Sequence, residues 1–266
     1  MPKQPFAKLQ RLAIAADQIH QSQVCLTPAQ QHYLRHVLRL RLGDSFIAME
    51  NQGQSWLARL ERADQKPVGA FQATLLEPID VPTELPVAVT LIAALPKGTG
   101  FETVIPAAVE LGVACIAPAL SDRTLLNPSP QKLERWRRIV REAAEQSERA
   151  MVPDLLDPVP FAACLEHGRS SPLRYLCVAR GQVPHLIHSL QWNKERLIAE
   201  VGRTAIAIAT GPEGGWTEAE VNYAIAAGYR PVSLGQRILR SITAPLVALS
   251  LIAAVFETPD SKSPID

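Results

Sequence analysis

The sequence predicts an α/β protein with a parallel sheet, preceded by a small β-barrel. Three observations carry this. The stretch from Ala205 to Val255 reads as strand, glycine loop, helix, strand, second glycine loop and long apolar helix. Residues 87–118 read as strand, helix and strand with short connections, the pattern of a parallel sheet. The first 80 residues hold several short strands around glycine turns, which points to a small barrel.

In the N-terminal part, Thr27-Pro28-Ala29 sets an N-cap with proline at the first helical position, and a helix is predicted to about Leu38. Tyr33, Leu34, Val37 and Leu38 recur at three and four residues and form the buried face. His32 and His36 make one i, i+4 pair and Arg35 and Arg39 another, largely off that face. Two histidines without a third ligand nearby do not make a metal site. Ser45–Met49 and Trp56–Leu60 read as a hairpin around Asn51-Gln52-Gly53, and a further strand is expected near Ala70 to Leu76. Pro78, Pro82 and Pro86 mark a linker, giving domains at 1–80 and 81–266.

In the second part, Val87 to Ala94 is a continuous apolar strand, and Leu95-Pro96-Lys97-Gly98 turns into a helix ending near Leu111-Gly112. Val113 to Pro118 is the next strand. A long helix is predicted from Leu133 to Met151, with Trp136, Ile139, Val140 and Ala143 as its apolar stripe and an Arg141–Glu145 ion pair at i, i+4. Leu173 to Val178 is another strand.

Ala205 to Ala209 is too short for a helix and suits a buried parallel strand. Gly211, Gly214 and Gly215 then permit a sharp turn and a close approach of backbone to a ligand. Thr217-Glu218-Ala219-Glu220 is a capping box, with Gly228 at the far end of the helix as its stop. The second loop, Leu234-Gly235 and the amide run from Arg237 to Arg240, adds backbone donors, with Ile238 and Leu239 as apolar walls for an adenine. Neither loop has the G-x-G-x-x-G spacing or the lysine of a P-loop, so neither implies a dinucleotide or a triphosphate.

Composition narrows the function classes. A net charge of +1 excludes a protein that coats nucleic acid, yet the basic residues are mostly arginine, whose planar fork suits phosphates and stacked bases. With only 5% aromatic residues the core is expected to be aliphatic. Cys25, Cys115, Cys164 and Cys177 lie far apart without a C-x-x-C pair, as expected of reduced cysteines in a cytoplasmic protein. No charged and apolar leader opens the chain, and the apolar run Ala244 to Phe256 is too short to span a bilayer.

The segments GPEGGWTEAEV, SLGQRILR and TAPLVALSLIAA resemble the C-terminal signature of the bacterial small-subunit rRNA uracil-N3 methyltransferases of the SPOUT superfamily. LPKG, ELGV, EAAEQS-x-R and RHVLRLRLGD are similar to other segments of that family. The resemblance implies a SPOUT α/β-knot, a trefoil-knotted parallel sheet, behind a PUA-like RNA-binding β-barrel. It implies S-adenosylmethionine as cofactor, held by Leu95, Thr210, Gly211, Gly214, Gly215, Leu234, Gly235, Ile238 and Leu239. It implies 16S rRNA of the small ribosomal subunit as substrate, contacted by Arg35, Arg39, Arg41, Lys97, Arg123, Glu142 and Gln146. Arg240, Glu213 and Arg149 are the implied catalytic residues. A homodimer is implied through the last helix, which is apolar nearly all round; no metal is required.

Two positions depart from the pattern. Relatives often carry a second basic residue where this chain has Gly100, and a glutamate where it has Ile242. Without that glutamate the acceptor of the uracil N3 proton is open between Glu213, Glu142 and solvent. Two other readings stand beside the first: a SPOUT methyltransferase with a different RNA target, and a non-catalytic ribosome-assembly factor that keeps the fold.

Overall fold

The computed structural model describes residues 9–50, 53–63, 71–81, 83–124, 126–199 and 204–257, with the side chains of 195–199 excepted. Asn51 and Gln52 of the expected hairpin turn, Ala70 and Pro82 lie outside the described residues. The chain divides into two compact units, Met1–Glu84 with Ala144–Val152, and Leu85–Ala143 with Pro153–Asp266.

The first unit is a six-stranded sheet in the order β1-β4-β5-β6-β3-β2. Its strands are β1 (Arg11–Ile14), β2 (Ile19–His20), β3 (Gln23–Cys25), β4 (Ser45–Glu50), β5 (Ser55–Arg62) and β6 (Phe71–Ile79). Only β1 and β4 pair in parallel. Leu12 and Ile14 of β1 and Val24 of β3, from opposite ends of that order, share one core with Phe46, Leu60 and Leu75, so the sheet curls. Side chains help to close it. Gln30 Nε2 donates to the carbonyl of Ala13 at 2.9 Å, and Gln18 Nε2 to that of Cys25 at 2.7 Å. Pro78 is part of β6 and not of a linker. It pairs opposite Trp56, whereas β3 reaches only Gln72 to Thr74 on the other edge, so its missing N–H costs that edge no bond.

Thr27 caps α1 (Pro28–His32) as expected, with Gln30 completing the box. The helix then widens. Tyr33–Val37 forms a π-helical turn in which the Leu38 N–H reaches Tyr33 O at 2.9 Å. Leu34 is fully buried beneath it.

The second unit is a seven-stranded parallel sheet in the order β10-β8-β7-β12-β11-β13, with β9 beside β8. Its strands are β7 (Ala88–Ala94), β8 (Cys115–Leu120), β9 (Asp154–Leu155), β10 (Val159–Pro160), β11 (Leu173–Cys177), β12 (Ala205–Thr210) and β13 (Arg230–Val232). Its helices are α2 (Phe101–Glu110), α3 (Pro130–Gln146), α4 (Phe161–Glu166), α5 (Leu186–Ala199), α6 (Glu218–Ala226) and α7 (Ala244–Glu257), of which α3 ends in the first unit. Late in the chain, β12 takes the centre, paired to β7 over six residues on one side and to β11 on the other. Ile206 to Thr210 are buried, which is why the run is apolar without alternation.

Three expectations need correcting. The core is not simply aliphatic: Trp136, Tyr175, Tyr229, Phe46 and Phe101 are its largest fully buried side chains, with Phe101 edge-on to Trp136 at 4.6 Å. The long helix α3 stops at Gln146 and not at Met151, because Glu148 turns to φ +58. Glu145 gives its carboxylate to the Ala13 N–H at 2.9 Å, and the i, i+4 ion pair on α3 is Arg138–Glu142. The last helix, α7, packs within its own unit through Pro245, Ala248, Leu249, Ile252, Ala253, Val255 and Phe256, against α2, α5 and β12.

Arg149 has a structural place. Its side chain is 3% exposed and forks onto Glu84, whose Oε1 also accepts the N–H groups of Ala150 at 3.0 Å and Met151 at 3.3 Å. This corrects the catalytic role expected of it: a guanidinium buried on a carboxylate is committed to the fold.

Removing one partner of a buried ion pair strands the other, so Arg149→Met is expected to lose about 3–5 kcal/mol in urea denaturation. Gly168→Ala tests the second unit. A Cβ there would lie 2.1 Å from the Tyr229 hydroxyl and 2.5 Å from Ala207 Cβ, and that hydroxyl is tied to Leu165 O at 3.0 Å. Overpacking of this kind is expected to cost about 1–3 kcal/mol by the same measurement.

Candidate functional site

Three loops that leave the carboxyl ends of adjacent strands, after β11, β12 and β13, line a cavity of about 540 Å³. That is where open α/β sheets bind ligands, and the volume suits a small organic molecule. The first glycine loop contributes Gly211 to Trp216, and the second contributes Leu234, Gly235, Arg237, Ile238, Leu239 and Ser241. Cys177 to Arg180 and Val183 come from the loop after β11, and Arg123 from the turn after β8.

The β12 loop is held from several sides. Trp216 stacks on Phe161 at 4.2 Å and donates its Nε1–H to Cys177 O at 3.1 Å. A Cβ on Gly211 would meet the Trp216 ring at 3.2 Å, so this glycine lets the loop pass the ring. Arg123 donates to Gly214 O, and a Cβ on Gly214 would come within 2.9 Å of the Arg123 side chain. The capping box forms as the sequence predicts: Glu220 N–H to Thr217 Oγ1 at 3.2 Å and Thr217 N–H to Glu220 Oε2 at 2.7 Å. Glu220 Oε1 also accepts the Asp122 N–H at 2.9 Å, which joins the β8 turn to α6.

Glu213 Oε1 accepts the backbone N–H of Lys97 at 3.0 Å. Burial pushes its carboxyl up, but the Lys97 N–H, its own N–H, the Ser241 hydroxyl and the Lys97 charge outweigh this and hold it below the ordinary carboxylate range. Glu213 is thus kept ionised and occupied as a tether between loops. Burial pushes the Cys177 thiol up to about 12, so at neutral pH it is an apolar wall and not a thiolate nucleophile. Among the described residues Glu213 is the single carboxylate on the lining, against Arg123, Arg180 and Arg237, and the remaining walls are largely apolar: Val178, Val183, Trp216, Val221, Leu234, Ile238 and Leu239.

Of the residues expected at a cofactor, Gly211, Gly214, Gly215, Leu234, Gly235, Ile238 and Leu239 line the cavity. Leu95 and Thr210 do not; both are about 1% exposed, and Thr210 Oγ1 has no hydrogen-bond partner among the described residues. Arg123 and Glu213 line the cavity, whereas Arg240 does not. Its carbonyl accepts the N–H groups of Thr243 and Ala244 at 2.9 Å, at the start of α7, and the cation of that loop on the lining is Arg237. Lys97 is exposed and joins the site through its backbone. Glu142, beside Arg138 at 3.7 Å, and Gln146 are exposed on α3 and lie off the lining. Arg35, Arg39 and Arg41 are exposed in the first unit.

Sequence reasoning missed Cys177 to Arg180, Val183 and Trp216. A strand end was the available signal, but adjacency of β11, β12 and β13 is not written in their order along the chain. The two departures, Gly100 and Ile242, are neighbours in space: a Cβ on Gly100 would lie 3.0 Å from Ile242 Cγ2. Among the described residues, no three or more His, Cys, Asp or Glu side chains are placed to hold a metal ion, and no helix is long and apolar enough to cross a membrane.

Fold and cavity define the class: a parallel-sheet α/β protein with a ligand-sized site at a cluster of post-strand loops, joined to a curled β-unit. The RNA methyltransferase domain family matches residues 83–253, and the RNA methyltransferase PUA domain family matches residues 26–68. The ribosomal RNA small subunit methyltransferase E of Synechocystis sp. is 46% identical over 95% of this chain and 80% of its own length. That of Bacillus subtilis is 30% identical over 86% and 88%. The ribosomal RNA small subunit methyltransferase E of Neisseria gonorrhoeae, solved bound to S-adenosyl methionine, superposes with a TM-score of 0.75 at 28% identity over 93% and 98%. The chain belongs to the ribosomal RNA small subunit methyltransferase E family.

The Glu213 tether has a testable sign. A carboxyl lowered by folding stabilises the fold above its ordinary value, 4.5 here, and the effect fades as pH falls through the folded value. Glu213→Gln is expected to lower Tm at pH 7, with the gap to the unaltered protein closing below about pH 4.5 in a thermal-melt series from roughly pH 3 to 8.

Proposed function

We propose that the protein transfers a methyl group from S-adenosylmethionine to N3 of a uridine in 16S rRNA. The observation that carries the reading is the cavity built from the two glycine loops, together with a relative of the same fold solved with that cofactor.

The lining fits the cofactor. Gly211 and Gly214 leave space that a side chain would contest, and Leu234, Ile238 and Leu239 offer apolar walls to an adenine. Exposed N–H groups of the two loops are the natural partners of its polar edges. When bound, the cofactor supplies an electrophilic methyl on a sulfonium. The protein's part is to align acceptor and donor, a task that contributes roughly 7–11 kcal/mol in well-oriented reactions.

Uracil N3 carries a proton that has to leave, and the base has to be unpaired to be reached. Neither carboxylate open at the outset suits the part of base. Glu213 is held ionised by hydrogen bonds, which makes it a weak base, and Glu142 sits beside Arg138 on the outer face of α3. Arg123 and Arg237 instead favour the deprotonated uracil by placing positive charge near its oxygens, so solvent takes the proton. Arg35, Arg39 and Arg41 serve as RNA contacts. The protein acts in the cytoplasm, and a homodimer is proposed from the family resemblance.

Calorimetric titration with S-adenosylmethionine is expected to show one site, lost in Gly211→Val because the larger side chain displaces Trp216. Tritiated-methyl transfer to small ribosomal subunits, followed by nucleoside mass spectrometry, is expected to yield N3-methyluridine. Methylation of a ribose, or of another base, would replace this reading with a different RNA target. Cofactor silence with intact RNA binding would point to an assembly factor. Sedimentation at micromolar concentration reads the dimer directly.

A further inference from the structure

The π-helical turn of the first unit carries a surface that phosphate binding does not explain. Leu34 is buried and Tyr33, Leu38 and Leu40 pack on the core, which turns His32, Arg35, His36, Val37 and Arg39 to the exterior. The His32 and His36 rings lie 4.7 Å apart and tilted by 31°. The Arg35 guanidinium is set 4.3 Å over the Phe71 ring. Val37 and Leu42 are 57% and 48% exposed, so apolar side chains reach solvent in the same short segment as the flat polar groups. Arg39 occupies the left-handed region at φ +59, unusual for a non-glycine residue and common where geometry serves a site. π-Helical turns have the same tendency.

Charge identifies the partner. Residues 18–43 contain no Asp or Glu. Asp44, the first carboxylate, is turned to the backbone N–H of Arg41 at 2.7 Å. A polyanion is favoured, but a duplex offers only phosphates, sugars and groove edges to such a face. Exposed valine and leucine gain nothing there. Unpaired bases offer flat π-faces, which stack on histidine rings and guanidinium planes and cover apolar side chains.

We propose that this face binds an unpaired RNA segment, with bases stacked on the His32–His36 pair and on Arg35, and with phosphates held by Arg39 and Arg41. The inference rests on the reading of the protein as an rRNA methyltransferase and adds the class of RNA that its first unit takes. Stacking and phosphate contacts differ in salt dependence: only the latter release counterions.

The test uses the full chain and a fluorescein-labelled 12-nucleotide RNA of mixed sequence, alone and annealed to its complement, in anisotropy titrations at several salt concentrations. The single strand is expected to bind about tenfold or more tightly than the duplex, the size of one or two stacking contacts. His32→Ala with His36→Ala is expected to weaken single-strand binding about tenfold with an unchanged salt slope. His36→Phe, which keeps a flat ring, is expected to bind like the unaltered protein. Arg39→Ala is expected to reduce the slope by about 0.7. Equal affinity for duplex and single strand, or full affinity in the double histidine variant, overturns the proposal. Circular dichroism of that variant guards the comparison; should it misfold, weak binding by His36→Phe overturns the proposal instead. Methyl transfer to small subunits by the unaltered protein, run in parallel, separates the two readings. Transfer without a single-strand preference defeats this inference alone, and neither transfer nor RNA binding defeats the proposed function.

Discussion

Much of the second unit depends on where β12 sits. It enters the sheet late, between β7 and β11, and its apolar residues fill the centre. Its end has to turn at once beside the ends of β11 and β13. Trp216 then fixes the turn, stacked on Phe161 and bonded to the carbonyl of Cys177, so one indole joins α4, the end of β11 and the β12 loop. Gly211 is the residue that allows the chain past that ring. The cavity is the consequence: three adjacent loops, with the Trp216 ring held between Phe161 and the Cys177 carbonyl.

The charges of the site divide into those that hold it and those that face inward. Glu213 and Glu220 are carboxylates turned to backbone N–H groups, of Lys97 and of Asp122 and Thr217 respectively. They tie the turns after β7 and β8 to the β12 loop and α6. Arg123 does both jobs, donating to Gly214 while it lines the cavity. With Arg180 and Arg237 it leaves the lining net positive, a field suited to an anionic base and a phosphate chain.

Family membership also recasts the two departures. Gly100 and Ile242 looked like independent losses in the sequence, one of a cation and one of an anion. In space they are neighbours: a Cβ on Gly100 would lie 3.0 Å from Ile242 Cγ2, so the turn after β7 and the approach to α7 meet there.

The sequence by itself determined the local elements and much of the cavity lining. Periodicity, capping boxes and glycine positions are local properties, so β12, α6, both glycine loops and the Thr27 cap were legible. The tertiary structure decided what depends on neighbours distant in sequence. It set Arg149 on Glu84 and Glu145 on the Ala13 N–H; both partners lie more than sixty residues away. It also brought the loop after β11 into the cavity and made Arg237, not Arg240, its lining cation. A side chain's role follows from which charge or N–H lies within about 3 Å of it, and only the folded chain establishes that.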